Sequence, residues 1–293
     1  MNHAASVLVV EDDAVLGGLL CDLLRTEGYD ARRVEDGNDA LRQVEEGHPA
    51  VIVLDVMLPG MDGFEVCQRL KFRKETNLIP ILMLTALDDT QARRKGLRVG
   101  ADRYLTKPFE PAELLSEIRS TLDHQRQLRE GGIRTSIQFQ MHSDSRLREQ
   151  LNDLLSELIL QTPLSQEDIG RIRYAVLEMV QNAVEWGNQR REDLEVSISY
   201  KVSSDAVTFV IADQGKGFNP SHVPHAATED DPVAHMPIRE KLGLRGGGFG
   251  ILISKGMMDH FQYNDAGNQV TMIKYFNGHS KPRSGQDNPA SAK

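Results

Sequence analysis

Four apolar residues run unbroken into a carboxylate at Val51-Ile52-Val53-Leu54-Asp55, and the chain then turns through Val56-Met57-Leu58-Pro59-Gly60-Met61-Asp62-Gly63. A run without polar alternation reads as a strand covered on both faces, the pattern of a parallel sheet between helical layers. Asp55 therefore stands at a carboxyl strand end, the edge of an open α/β sheet where ligands bind. Pro59, Gly60 and Gly63 form a turn that leaves it reachable. Taken alone, such a residue serves equally well to cap the next helix; the segments around it decide otherwise.

Ser6 to Val10 reads as a strand ending in Glu11-Asp12-Asp13, and Ala14 to Glu27 as a helix with Leu16, Leu19, Leu20, Leu23 and Leu24 at helical spacing, closed by Gly28. A weaker strand follows at Tyr29 to Val34 and a helix at Asn38 to Glu46. Ile79 to Leu84 gives a fourth strand ending in Thr85, and Asp102 to Thr106 a fifth ending in Lys107-Pro108-Phe109. Strands alternating with helices predict a doubly wound, five-stranded parallel α/β sheet.

Glu11, Asp12, Asp55, Thr85 and Lys107 all fall at carboxyl strand ends, so one crevice can hold them. Three clustered carboxylates repel unless a cation joins them, and an all-oxygen site with room for water suits Mg²⁺. A lysine ammonium and a threonine hydroxyl supply donors for a phosphoryl group. The chemistry indicated is formation of an acyl phosphate on Asp55.

With the acidic pair, the Asp55 loop, Thr85-Ala86 and Lys107-Pro108-Phe109 in this order, residues 5 to about 123 resemble the receiver domain of two-component response regulators. The resemblance makes Asp55 the phosphoacceptor. It makes Asp12 and Asp55 direct Mg²⁺ ligands, Glu11 a ligand through water and the carbonyl of Met57 the remaining protein ligand. It also implies phosphoryl contacts from Thr85 and Lys107, a switching aromatic at Tyr104 and a cis bond at Lys107-Pro108.

Pro111 opens a helix with Leu114, Leu115, Ile118 and Leu122 on one face; its continuation to Glu130 is polar and Gly131-Gly132 stops it. His124 reads as a solvated helix residue, since no second long helix follows to build a phosphoacceptor hairpin. Beyond lie a strand at Ile133 to Met141, a helix at Asp144 to Leu160, and a helix from a Ser165-to-Asp168 capping box to Trp186 with Gly187 as its stop. Glu178 and Asn182, four apart, share one face of that helix with Glu185 beside them. Leu194 to Val202 and Ala206 to Ala212 form a hairpin, and Gln262 to Asn264 with Gln269 to Phe276 another. Between the two pairs lie Asp213-Gln214-Gly215-Lys216-Gly217 and Arg245-Gly246-Gly247-Gly248-Phe249-Gly250, the latter leading into a helix N-terminus as an anion cradle does.

Glu178 to Ala183, Asp213-x-Gly215-x-Gly217 and Gly248-x-Gly250, in this order, resemble the asparagine box and two glycine boxes of the GHKL, or Bergerat, α+β ATP-binding fold, and within it the anti-sigma-factor serine/threonine kinases. The resemblance implies Asn182 as an Mg²⁺ ligand, Glu178 as a base and Asp213 as acceptor for the adenine amine. Gly215 and Gly217 would approach the nucleotide, and Gly246, Gly247, Gly248 and Gly250 would cover the phosphates. Asn219 to Leu244 would be the ATP lid, with His222, His225, His235, Glu229, Asp230 and Asp231 as solvated lid residues. Trp186 departs from the pattern, standing where the family commonly has histidine before Gly-Asn.

The expected organisation is a receiver over residues 1–123, a connector over 124–134, the ATP-binding domain over 135–276 and a disordered tail over 277–293. At 293 residues the chain has the length of about two domains. Its net charge of −9 argues against direct DNA binding. No apolar run reaches the roughly 18 residues of a membrane span, and no signal-peptide layout opens the chain, so a cytoplasmic location is expected. Cys21 and Cys67 read as buried free thiols, and Arg93-Arg94-Lys95 as a solvated helix face. The implied function is a response regulator in which Asp55 phosphorylation, by a sensor histidine kinase or phosphotransfer protein, controls the output domain. That output, with ATP and Mg²⁺, would phosphorylate Ser or Thr of an anti-anti-sigma-type partner, sequester a sigma factor, or both. The alternative is a non-catalytic, ATP-dependent binding module. Domain rearrangement or a receiver-mediated homodimer would each serve as the coupling.

Overall fold

The computed structural model describes residues 4–86, 98–142, 147–219, 227, 231, 233–234, 236–241 and 248–276. The first domain contains β1 (Ser6–Val10), α1 (Ala14–Thr26), β2 (Asp30–Val34), α2 (Gly37–Gly47), β3 (Val51–Asp55), α3 (Gly63–Lys71), β4 (Ile81–Ala86), β5 (Arg98–Gly100), β6 (Arg103–Lys107) and α4 (Pro111–Glu130). Five of its strands form a parallel sheet in the order β2-β1-β3-β4-β6.

The apolar runs acquire their meaning here. Leu8, Val10, Ile52, Leu54, Ile81 and Met83 point to one face and pack under α2 and α3 with Leu41, Val44, Val66 and Leu70. Their neighbours Val7, Val9, Val51, Val53, Leu82 and Leu84 point to the other and pack under α1 and α4 with Leu20, Leu24, Leu114 and Ile118. Two separate cores explain why the central strands lack alternation: each strand residue has a helical layer to fill. Cys21 and Cys67 are buried in these layers and form no disulfide, and burial pushes the Cys67 thiol up to about 12.

The second domain contains β7 (Thr135–His142), α5 (Leu147–Leu160), α6 (Gln166–Asn182), β8 (Glu195–Val202), β9 (Ala206–Asp213), α7 (Met236–Lys241), α8 (Gly250–Met257), β10 (His260–Tyr263) and β11 (Gln269–Tyr275). Its antiparallel strands run β10-β11-β9-β8-β7. Alternation is now visible, as a sheet with helices on one face requires: Ile137, Phe139 and Met141, then Val196, Ile198 and Tyr200, then Val207, Phe209 and Ile211 pack with Leu151, Leu155, Val176 and Met179. Ser165 caps α6, its hydroxyl accepting from the amide of Asp168 at 3.1 Å.

Three features differ from the sequence expectation. The Asn-box helix stops at Asn182 and widens into one π-helical turn, Ala183–Gly187, instead of running evenly to Trp186. A short helix, α7, interrupts the segment expected as a lid. Most unexpectedly, β5 joins the second sheet, on the free side of β7. Gly246 and Gly247, most of the expected lid with His222, His225, His235, Glu229 and Asp230, the Arg93-Arg94-Lys95 run and the tail after 276 lie outside the described residues.

Candidate functional site

At the carboxyl edge of the parallel sheet, β1 delivers Glu11 and Asp12, β3 Asp55, β4 Thr85 and β6 Lys107. The Glu11 and Asp55 side chains are buried and Asp12 is exposed; carboxylate oxygens of the three lie within 4.8 Å of one another. Lys107 Nζ bridges two of them, 2.8 Å from Glu11 Oε2 and 3.0 Å from Asp55 Oδ2. Burial raises the Glu11 carboxyl above the usual range despite that lysine. Burial works against the Lys107 ammonium, yet its bonds to Glu11 and Asp55 hold it above the ordinary lysine range. The Thr85 hydroxyl is buried without a hydrogen-bond partner, a cost normally avoided. Asp13, which carries no expected role, caps α1 by accepting from the amides of Val15 and Leu16. The peptide bond between Lys107 and Pro108 is cis.

Arg33, on β2, was not singled out by the sequence. Its Nε donates to the carbonyl of Glu11 and its Nη2 to that of Asp12, both at 3.0 Å, while Nη1 pairs with Glu35. The acidic turn is thus pinned by a side chain from the neighbouring strand. Met57 lies in the turn beyond Asp55 with its side chain exposed, and Tyr104 is half-buried, its hydroxyl accepting from the Ala101 amide at 3.1 Å.

The second cluster forms between α6, the end of β9 and the start of α8. Glu178 and Asn182 are half-buried on α6, and Glu178 lies so close to Gly250 that any Cβ there would overlap its carboxylate. Asp213, at the end of β9, is similarly pressed against Gly187, and its Oδ1 accepts from the Gly215 amide at 2.9 Å. Burial raises the Asp213 carboxyl, with that amide opposing in part. Asn188 is fully buried and ties the site together: Nδ2 donates to the Glu195 carbonyl at 3.0 Å and Oδ1 accepts from the Gln214 amide at 2.9 Å. Phe218 and Tyr263 meet edge to face at 4.9 Å, and Tyr263 donates to Met179 Sδ at 3.4 Å. Glu185 is engaged elsewhere, by Gln181 at 2.7 Å and Arg190 at 2.6 Å. Gly217 adjoins the Ala266 carbonyl, and the Gly248 carbonyl accepts from Ala227 at 2.8 Å, a point where the lid segment touches the second glycine box.

Comparison with known families assigns both domains. The model of the response regulator receiver domain matches residues 7–119, and that of the histidine kinase-like ATPase domain matches residues 142–274. The chain is a receiver domain followed by a GHKL-type ATPase domain.

The DNA-binding response regulator MtrA of Mycolicibacterium paratuberculosis is 46% identical over 116 residues, 40% of this chain and 50% of that protein. This chain spans about half the length of the curated relatives it matches. Among solved structures, the receiver domain of a sensor histidine kinase from Pseudomonas aeruginosa with magnesium in its active-site cleft shares 30% identity at a TM-score of 0.38. The match covers 41% of this chain and 98% of that one. The chemotaxis protein CheY4 of Vibrio cholerae shares 30% identity at a TM-score of 0.37, with 40% of this chain and 98% of that one covered.

The receiver's donor set fits a hard divalent cation. Its three carboxylates converge, only two are met by Lys107, and hard oxygen ligands are what Mg²⁺ takes. The Thr85 hydroxyl, buried without a partner one residue beyond Leu84, which lies opposite Asp55, keeps its donor unused. In the ATPase domain the Asp213 carboxylate, the apolar Phe218 and Tyr263 rings and the backbone around Gly248 and Gly250 fit a nucleotide's amine, ring and phosphates in turn. No helix among the described residues is long and apolar enough to cross a membrane.

Proposed function

We propose that this protein is a phosphorylation-controlled protein kinase of the anti-sigma-factor type. A sensor histidine kinase or phosphotransfer protein phosphorylates Asp55 with Mg²⁺ held by Glu11, Asp12, Asp55 and the Met57 carbonyl. The ATPase domain binds ATP through Asp213 and, with Mg²⁺ on Asn182, transfers the γ-phosphoryl to Ser or Thr of an anti-anti-sigma-type protein. Glu178 serves as base, taking the hydroxyl proton as oxygen attacks phosphorus and ADP leaves.

One observation carries this reading: Glu178 and Asn182 stand on the same face of α6, and Glu178 abuts the start of α8 at Gly250. A carboxylate beside the phosphate-facing end of a helix, one turn from an amide suited to a metal, is the arrangement transfer requires. A module that merely bound ATP would need Asp213 and the glycines but not Glu178.

The test pairs the full chain and its Glu178→Gln variant with ATP, Mg²⁺ and an anti-anti-sigma-type domain. Mass spectrometry should find a phosphate on Ser or Thr with the parent and none with the variant, at unchanged ATP affinity. Partner binding that depends on ATP but leaves the partner unmodified would assign the chain to the non-catalytic class instead.

A further inference from the structure

The ATPase sheet does not end at its own domain. β5, from the receiver, pairs antiparallel with β7: Arg98 lies opposite Gln140, Val99 opposite Phe139 and Gly100 opposite Gln138. No receiver strand pairs with β5 among the described residues. Phe72, at the end of α3, packs on the ATPase core, and Gln125 of α4 donates to the Leu78 carbonyl at 3.1 Å. Behind these contacts the buried Lys71 reaches Asp102 at 2.7 Å and the carbonyls of Asn77 and Ile79, fixing the ground from which β5 leaves.

This strand is also one hydrogen bond from Tyr104. The residue after β5, Ala101, donates its amide to the Tyr104 hydroxyl, and a Cβ built on Gly100 would stand 3.6 Å from that hydroxyl and 3.5 Å from Cβ of Gln138. Tyr104 pairs with Met83 on β4, where Thr85 lies two residues on, opposite Thr106. Lys107, bonded to Asp55, ends the same strand as Tyr104. On the far side Phe139, opposite Val99, shares a core with Met179 and Val180, which lie on α6 between Glu178 and Asn182.

We propose that the β5–β7 pairing is the element through which Asp55 phosphorylation regulates the ATPase site, with the Tyr104–Ala101 hydrogen bond as its latch. The inference rests on the reading that the receiver controls the output. A phosphoryl group at Asp55 draws Lys107 and the Thr85 hydroxyl toward its oxygens, shifts the ends of β4 and β6, and takes the Tyr104 hydroxyl from the Ala101 amide. A ladder of three residues has few bonds to lose, so it opens and closes as a unit, the two-state element that a local charge change can bias. Its opening loosens β7 against α6 and so alters the placement of Glu178 and Asn182.

Hydrogen exchange on the full chain tests this. Acetyl phosphate with Mg²⁺ loads Asp55: the donor's P–O bond breaks, a bond from phosphorus to Asp55 Oδ forms, and acetate leaves. Amides of residues 136–141 should then exchange at least about fivefold faster, the lower end of ordinary allosteric coupling. Tyr104→Phe, which removes only the hydroxyl, should raise exchange there without phosphorylation. Val99→Pro, which sets a proline ring in the middle of the three-residue pairing, should leave ATP affinity and partner phosphorylation indifferent to Asp55. Unchanged exchange at 136–141 while the output responds overturns the inference and leaves receiver control standing. Changed exchange with an unresponsive output shows a pairing that opens without consequence, which sinks receiver control and the inference that rests on it. A full response retained in Val99→Pro also overturns the inference.

Discussion

Gly187 has no room for a side chain because the carboxylate of Asp213 fills the space its Cβ would need. The π-helical turn that ends the Asn-box helix brings Gly187 into this position, and buried Asn188 holds the turn against β8 and the chain after β9. Such turns recur at functional sites. Here the turn sets how deeply Asp213 sits.

Gly187→Ala is therefore expected to push Asp213 out of place and to weaken ATP binding roughly 5- to 100-fold, from a packing conflict of about 1–3 kcal/mol. Calorimetry gives the affinity. Far-UV circular dichroism should show the fold retained, and Trp186, the chain's one tryptophan, sits on the same turn as a fluorescent reporter.

Gly170 supplies the contrast. It lies inside α6 with open space where a Cβ would go, so Gly170→Ala should stabilise the domain by about 0.5–1 kcal/mol and leave ATP affinity unchanged. A denaturant midpoint measures the gain.

In the receiver, Lys107→Met should abolish or strongly slow labelling of Asp55 by acetyl phosphate while raising Mg²⁺ affinity. The ammonium lies 2.8 Å from Glu11 and 3.0 Å from Asp55, so it competes with the cation for the same carboxylates. Removing it relieves a repulsion on the order of 1 kcal/mol or more, about fivefold in affinity. Asp55→Asn should take no label at all. Metal titration by calorimetry and intact mass, with loss of the adduct in base, read the two effects separately.

The raised Asp213 carboxyl gives a pH dependence with opposite signs for binding and folding. The ionised form is the stronger acceptor for the adenine amine, so ATP affinity should fall as pH drops through a midpoint above the ordinary aspartate value. The folded state binds this proton more tightly than the unfolded one. Its contribution therefore favours folding at acid pH and is lost as pH rises from the ordinary value through the raised one. ATP titrations across about pH 4 to 8 should show this midpoint, and Asp213→Asn should remove it.

Much of the receiver site was readable because strand ends are readable: an apolar run marks the strand, and its last polar residue marks the edge. Asp55, Thr85 and Lys107 converge for that reason. Arg33 was not readable, since a β2 pattern of mixed polarity says nothing about whose carbonyls a long side chain reaches. Asn188 was hidden in the same way, its role depending on β8 and Gln214 arriving from later in the chain. The turn at Ala183–Gly187 continues the helical pattern of α6 in sequence, and its widening shows only where Gly187 meets Asp213. β5 offered least of all. Three residues carry no measurable period, and its partner strand begins more than thirty residues later, in another domain.

The shared sheet changes what a truncated protein can be used for. β7 reads Thr-Ser-Ile-Gln-Phe-Gln-Met-His, without lysine, arginine, aspartate, glutamate, proline or glycine. These are the residues with which natural sheets guard a bare edge. Cutting the chain at Gly131-Gly132 would strip that edge of its three-residue cover and leave an uncharged, unprotected strand facing solvent. An isolated ATPase fragment should then self-associate, and its behaviour would report the missing neighbour as much as the domain itself.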